Sequence, residues 1–313
     1  MRLAFLGCGA IARAHAKRLR KFPDVELAFA SRDAAKAQTF ARDLGGAAFG
    51  SYEEALDAAD VDAVAVVTPP DSHQDLAVRA LAAGKHVVLE KPPLLRATDF
   101  AALEAAAAAA KKRVFVAENY RYKPSLTRLR GLLADGVIGD VLFVQVNAIK
   151  RQASKGDWRD RYGALFEGGI HWVDFFAALG SALGDVKGVF GSHPGSSEPD
   201  RSMLVTFGYG SGAVGTLAYS WEVPSTARGL RLSKIYGREG SITFETNGLW
   251  IFCHGKKTRL YVPGLRDLAG YRAMWADFVR AWRDDTDAAM TLAHARRDLE
   301  LVEEAYATAK RVL

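Results

Sequence analysis

The chain has 313 residues, 49% of them hydrophobic and 25% charged, which is the balance of an ordinary globular protein with room for two domains and argues against disorder. Its 42 Lys and Arg against 36 Asp and Glu leave a net charge of +6, but the cations are scattered rather than massed, so nucleic acid is not an expected partner. Two cysteines, Cys8 and Cys253, support neither a disulfide framework nor a thiolate metal cluster. The alanine-rich stretch 100–110 is too short for a membrane span, and glycine arrives too early at Gly7 for a secretory leader, so a cytoplasmic protein is expected.

In the first third, apolar strand-like runs at residues 3–6, 26–30, 47–49, 63–67, 86–89 and 114–117 alternate with helical patterns at 10–22, 33–44, 52–59, 72–83 and 97–112. Ser51 with Glu54 fits a capping box, and Gly84 fits a helix stop. This rhythm predicts a doubly wound parallel sheet. Beyond a helix at 124–135 the texture changes to strands at 141–150, 203–209, 214–221, 230–236, 241–245 and 249–253, with an exposed loop at 191–200. Helices are predicted at 171–183, 271–283 and 291–312. The fold class is therefore α/β: a parallel-sheet domain over 1–120, then an α+β domain over 121–313 with a large, mostly antiparallel sheet.

Gly7-Cys8-Gly9-Ala10-Ile11-Ala12 follows the first strand directly and matches G-x-G-x-x-A. The first glycine permits a tight turn and the second lets backbone approach a pyrophosphate. Small Ala12 permits close packing, and the helix N-terminus presents N–H groups to the anion. Where an acidic residue commonly binds the ribose of NAD, this chain has Ser31 and Arg32, suited to a 2′-phosphate. NADP is expected, and NAD instead if Asp33 takes the ribose position. Thr68 and Pro69 leave the strand at 63–67 toward the same crevice, and His73 either lines it or serves packing and capping. Glu90 and Lys91 sit at the carboxyl edge of the strand at 86–89, where Pro92 and Pro93 end the ladder and where parallel sheets bind ligands. Tyr120 and Arg121 follow the next strand toward that crevice, with substrate contact and interdomain packing both open. For Arg159, beside Trp158, substrate contact and surface charge are both open.

G-x-G-x-I-A at 7–12, T-P-P-x-x-H at 68–73, E-K-P at 90–92 and Asn119-Tyr120-Arg121-Tyr122-Lys123-Pro124 together resemble the Gfo/Idh/MocA family of glucose-fructose oxidoreductase and inositol dehydrogenase. The resemblance covers nearly the full chain. It implies a Rossmann domain, a second domain whose sheet makes homo-oligomer contacts, and a nicotinamide-dependent redox reaction on a sugar or polyol. It further implies that Lys91 reaches the nicotinamide ribose and the substrate oxygen, with Asn119 among the cofactor contacts. His171 aligns with the proton-exchanging histidine and Glu167 with the acidic residue four places before it; on a helix that spacing puts both on one face. Asp174 aligns with an aspartate that follows, with binding of substrate hydroxyls and capping of the structure both open. Two departures stand out. Glutamate replaces the commoner aspartate at 167, and Arg161-Tyr162-Gly163 stands where many members have three glycines, so Tyr162 is expected to reshape the substrate site.

The expected function is an NADP-preferring oxidoreductase acting on a carbohydrate-like small molecule, with Lys91, His171 and Glu167 catalytic. Rivals are an NAD-dependent glycosidase on the same scaffold and a cofactor-bound sensor without turnover. No metal is expected, because no further ligand set accompanies Glu167 and His171, and no Gly-x-Ser-x-Gly elbow points to a hydrolase.

Overall fold

The computed structural model describes residues 1–152, 161–194, 199–224 and 230–311, whose contacts divide into two compact units. In the first unit, β1 (Arg2–Leu6), β2 (Glu26–Ala30), β3 (Ala47–Phe49), β4 (Ala63–Val66), β5 (His86–Leu89) and β6 (Val114–Val116) form one sheet in the order β3-β2-β1-β4-β5-β6, all parallel. Every residue of β4 and β6 is buried, as continuous apolar strands require when both faces of a sheet are covered. Helices α1 (Ala10–Leu19), α2 (Ala34–Leu44), α3 (Tyr52–Asp57), α4 (His73–Ala82) and α5 (Phe100–Ala110) connect the strands. The strand order reverses between β1 and β4, the switch point at whose carboxyl edge such sheets bind ligands. Half of the expected capping box forms. Ser51 Oγ accepts the Glu54 amide at 3.1 Å, but the Glu54 carboxylate accepts from Gly50 rather than Ser51.

The second unit opens with a 3-10 turn, Asn119–Tyr122, and α6 (Pro124–Ala134). Its sheet comprises β7 (Val141–Ile149), β8 (Val186–His193), β9 (Ser202–Tyr209), β10 (Val214–Ser220), β11 (Leu232–Gly237), β12 (Gly240–Glu245), β13 (Ile251–His254), β14 (Arg259–Tyr261) and the two-residue edge strand β15 (Lys310–Arg311). The order is β14-β13-β12-β11-β7-β10-β9-β8-β15, antiparallel except for the β7–β10 and β8–β15 pairs. Against one face lies α7 (Ile170–Leu183), whose Phe176 stacks on Phe207 at 4.3 Å. Gly215 makes room for it, since a Cβ there would stand 2.6 Å from the Phe176 ring. Strand alternation turns Phe143, Phe190, Leu204, Leu232 and Phe252 to the other, exposed face. The predicted loop at 191–200 begins inside β8, an element whose Gly188 and Gly191 gave it little strand character.

Residues 271–296 group with the first unit. Here α8 (Tyr271–Arg283) buries Met274, Trp275, Phe278 and Ala281, and Phe278 stacks on Phe115 at 4.9 Å. Chain order alone had put this helix with residues 121–313; apolar contacts assign it to the other core. The following α9 (Leu292–Thr308) passes the boundary between units at residues 296 and 297 and ends sooner than the predicted helix, where the chain turns into β15. No helix among the described residues is long and apolar enough to cross a membrane.

Candidate active site

At the end of β1, Gly7 has φ +114°, and a Cβ there would stand 3.1 Å from the Val67 carbonyl oxygen, so conformation and close approach both demand glycine. Gly9 is exposed, with no atom within 4 Å of where its Cβ would be, and no side chain caps α1. The first amides of α1, from Ala10 and Ile11 onward, therefore lie beneath an open approach with the helix dipole behind them, an arrangement that fits a dinucleotide pyrophosphate. Ala12 is fully buried, as close packing of α1 requires. The Cys8 side chain turns inward, Sγ 3.6 Å from the Ala30 carbonyl, so only its backbone faces the turn. Burial pushes its thiol up to about 11 despite the charges of Lys36 and Arg13.

After β2, Ser31 is buried and its Oγ accepts the Asp33 amide at 3.2 Å, while Arg32 is exposed. Asp33 caps α2, its Oδ1 accepting from Ala35 and Lys36 at 3.1 and 3.3 Å. Thr68 and Pro69 are half-buried after β4, and Thr68 Oγ1 accepts from Ser72 Oγ at 2.7 Å.

Lys91, half-buried, follows β5, and the residues around it are turned inward. Glu90 is 5% exposed; its Oε1 lies 3.0 Å from His15 Nε2, and its Oε2 accepts the Lys91 amide at 2.6 Å. His73 is fully buried, its Nε2 2.8 Å from the Thr68 carbonyl and its Nδ1 3.1 Å from that of Pro93. Burial lowers the His73 pKa, against the pull of those carbonyls and of Glu90. The Glu90 side chain, expected at the crevice, is turned into the loop, and of the two roles open to His73 its bonds are those of packing.

In the second unit Tyr120 stacks on His171, ring centroids 4.4 Å apart at 12°, and meets Trp172 edge-on at 5.1 Å. The ammonium of buried Lys123 lies 4.4 Å from the Tyr120 ring centroid. Glu167 belongs to a π-helical turn, Leu165–Gly169, and His171 is the second residue of α7. The predicted α-helical spacing thus begins in a wider turn, which two glycines permit: a Cβ on Gly168 would stand 2.2 Å from Tyr219 Oη. The turn is anchored by Tyr306, whose hydroxyl accepts the Phe166 amide at 3.1 Å and donates to Asp200 Oδ1 at 2.7 Å. Burial raises the Asp200 pKa.

Asp174 is fully buried, and its Oδ1 accepts from Arg121 Nε at 2.8 Å, so of the roles open to this pair the structural one is taken up. Asn119 is buried and its side-chain amide donates to the Ala269 carbonyl at 2.6 Å. Tyr162 is half-buried and leans on Phe166 at 5.3 Å. Arg159 lies outside the described residues.

Residues 1–118 match the model of an oxidoreductase family with an NAD-binding Rossmann fold, GFO_IDH_MocA, and residues 126–243 match the model of its C-terminal domain. A dTDP-3,4-didehydro-2,6-dideoxy-alpha-D-glucose 3-reductase of Streptomyces violaceoruber is 34% identical over 255 residues, 78% of this chain and 72% of that protein. The chain belongs to the Gfo/Idh/MocA oxidoreductase family. A glucose-6-phosphate 3-dehydrogenase of Bacillus subtilis is 30% identical over 183 residues, 55% of this chain and about half, 52%, of that protein. The fold extends to a 3-ketoreductase from Actinomadura kijaniata in complex with NADP and TDP-benzene, with TM-score 0.85, 22% identity, and coverage of 100% of this chain and 98% of that one.

Within this Gfo/Idh/MocA chain, sequence reasoning missed His15, Trp275, Asp200, Tyr219 and Tyr306. They carry no local motif and act only where distant segments share a core. Lys123 stood inside the quoted 119–124 motif, and its position was the available signal. Among the described residues no cluster of His, Cys, Asp and Glu could hold a metal ion.

Proposed function

We propose that this chain is an NADP(H)-preferring dehydrogenase or reductase that interconverts a hydroxyl and a carbonyl on a sugar, polyol or related small molecule. The observation that carries this reading lies within the first unit: an open glycine turn at the β1–β4 switch point, with Lys91 at the carboxyl edge of the adjoining β5. A nicotinamide dinucleotide bound at that turn supplies the two-electron exchange with the reacting carbon. The chain does the rest. The turn around Gly7 and Gly9 and the first amides of α1 hold the pyrophosphate. Lys91 hydrogen-bonds the substrate oxygen and stabilises the charge that develops on it. His171 takes the hydroxyl proton during oxidation and returns it during reduction, with its ring held by Tyr120 and oriented by Glu167.

The chemistry around Ser31 supports NADP. The Asp33 carboxylate caps α2, while Arg32 is exposed and free of the buried-core constraints on Ser31. A guanidinium there attracts a 2′-phosphate that a carboxylate would repel. The names of the two curated relatives support a sugar carbon as the reacting centre. A panel of free sugars, glucose 6-phosphate, inositols and nucleotide-linked keto-sugars, followed by nicotinamide absorbance with both cofactors, tests the reading. NADP(H) is expected to exceed NAD(H) in kcat/KM by about tenfold or more, and Arg32→Ala to remove most of that preference. A clear NAD preference in the parent protein refutes the role of Ser31 and Arg32, and glycoside cleavage without net absorbance change assigns the glycosidase chemistry instead.

The exposed sheet face with Phe143, Phe190, Leu204 and Phe252 suits a second copy of this chain. Light scattering is expected to find a homo-oligomer that Phe143→Asp with Phe190→Asp converts to a monomer; an unchanged mass assigns assembly elsewhere.

A further inference from the structure

The buried groups behind Lys91 form a directed chain of hydrogen bonds, all within the first unit. Trp275 Nε1 lies 2.9 Å from His15 Nδ1, and His15 Nε2 lies 3.0 Å from Glu90 Oε1. An indole nitrogen only donates, so Nδ1 must present its lone pair, and the imidazole proton must sit on Nε2, pointing at the carboxylate. The other oxygen of Glu90 accepts the Lys91 amide at 2.6 Å. The direction of every bond is therefore determined: indole to imidazole, imidazole to carboxylate, and the lysine's own amide to that carboxylate from the opposite side. His15 has no room to turn. Its ring meets Trp275 edge-on at 5.4 Å and Tyr271 edge-on at 5.3 Å, and its exposure is 1%.

We propose that His15 and Trp275 are positioning residues for Lys91, so that α8, reached only after the chain has built most of the second unit, belongs to the lysine's support. A buried carboxylate missing one of its donors pays a desolvation cost and turns to find another. Here its movement draws the Lys91 amide with it, and the ammonium leaves the position from which it meets a substrate oxygen. The inference rests on the reading of Lys91 as a substrate-contacting group.

Its test needs no substrate. The full chain, without cofactor, is reductively methylated at its lysines with carbon-13 formaldehyde, and Lys91→Arg identifies the Lys91 signal. In the parent that signal is expected apart from those of solvent-exposed lysines. His15→Ala is expected to move it to the exposed-lysine position. Trp275→Phe keeps a ring and deletes the indole N–H, and should move the signal in the same direction by a smaller amount. His15→Gln, whose amide still offers a donor to Glu90, should retain most of the parent position. Nitrogen-15 spectra are expected to show His15 as the Nε2–H tautomer in the parent and as a mixture in Trp275→Phe. A Lys91 signal unmoved in both His15→Ala and Trp275→Phe overturns the proposal. If His15→Ala does not fold, an unmoved signal together with an unchanged His15 tautomer in Trp275→Phe overturns it equally. An unaltered hydride-transfer rate in Lys91→Ala is a separate result and removes the catalytic reading of Lys91 whatever the spectra show.

Discussion

The loop that carries Lys91 and the turn that carries His171 are immobilised by different physical means. Residues 90–93 rest on a polar frame, with the Glu90 carboxylate between His15 and the Lys91 amide and the Pro93 carbonyl against His73. Residues 163–171 add close approach to the bonds that Tyr306 and Asp200 make with their amides. A Cβ on Gly163 would stand 1.8 Å from Asp200 Oδ1, Gly168 abuts Tyr219, and the His171 ring stacks on Tyr120. A polar frame responds to lost donors and to protonation, a packed one to added volume.

The largest expected effects come from the two proposed chemical groups themselves. Lys91→Ala and His171→Ala should each lower the hydride-transfer rate by about 10²- to 10⁴-fold while leaving dinucleotide affinity within about threefold, as read by stopped-flow absorbance. A loss of affinity as large as the loss of rate would turn either residue from chemistry to binding.

Volume and polarity can then be separated. Gly163→Ala and Gly168→Ala should each cost about 1–3 kcal/mol in denaturant unfolding, because the added methyl meets groups that are bonded in place. Glu90→Gln preserves volume, and a packed site would tolerate it. In the polar frame the new amide presents N–H where a donor already points, and a cost of about 1–3 kcal/mol is expected. A silent Glu90→Gln would erase the contrast between the two segments.

The smallest effects should appear on acidification, with opposite signs. Burial holds the folded-state pKa of His73 below its ordinary 6.5, and burial with the Lys112 and Arg113 charges does the same for His86. Below about 6.5 the unfolded chain binds more protons at these groups, so they take stability from the first unit as pH falls from there toward their folded values. Asp200 behaves in reverse. Its folded pKa is raised above 3.8 by burial, so the folded state binds the extra proton, and stability at this group rises as pH falls through its folded pKa toward 3.8. Amide exchange of the two units followed between pH 7 and pH 4 should resolve the two trends, and parallel loss in both would contradict them.

Much of this was legible in the chain because it is local. Six apolar runs predicted β1 to β6 within about a residue; β4 and β6, buried along their whole length, need unbroken hydrophobic residues. The turn at Gly7 and Gly9 could be read because its demands fall on consecutive residues. β8 escaped notice because its glycines yield to a neighbouring helix: a Cβ on Gly191 would stand 2.2 Å from the Ala305 carbonyl oxygen. Asp174 and Asn119 were placed by motif alone, and neither motif says whether a polar side chain faces a ligand or a buried partner.

The sequence by itself determined the alternation of strand and helix, the glycine turn after β1 and the position of Lys91 at a strand's carboxyl edge, all of which follow from backbone preferences and hydrophobic periodicity over short spans. Only the tertiary structure decided that α8 would complete the first core, that Trp275 would meet His15 across 260 residues of chain, and that the approach to His171 would widen into a π-helical turn. Those outcomes depend on which distant surfaces exclude water together, a condition that no local pattern of residues encodes.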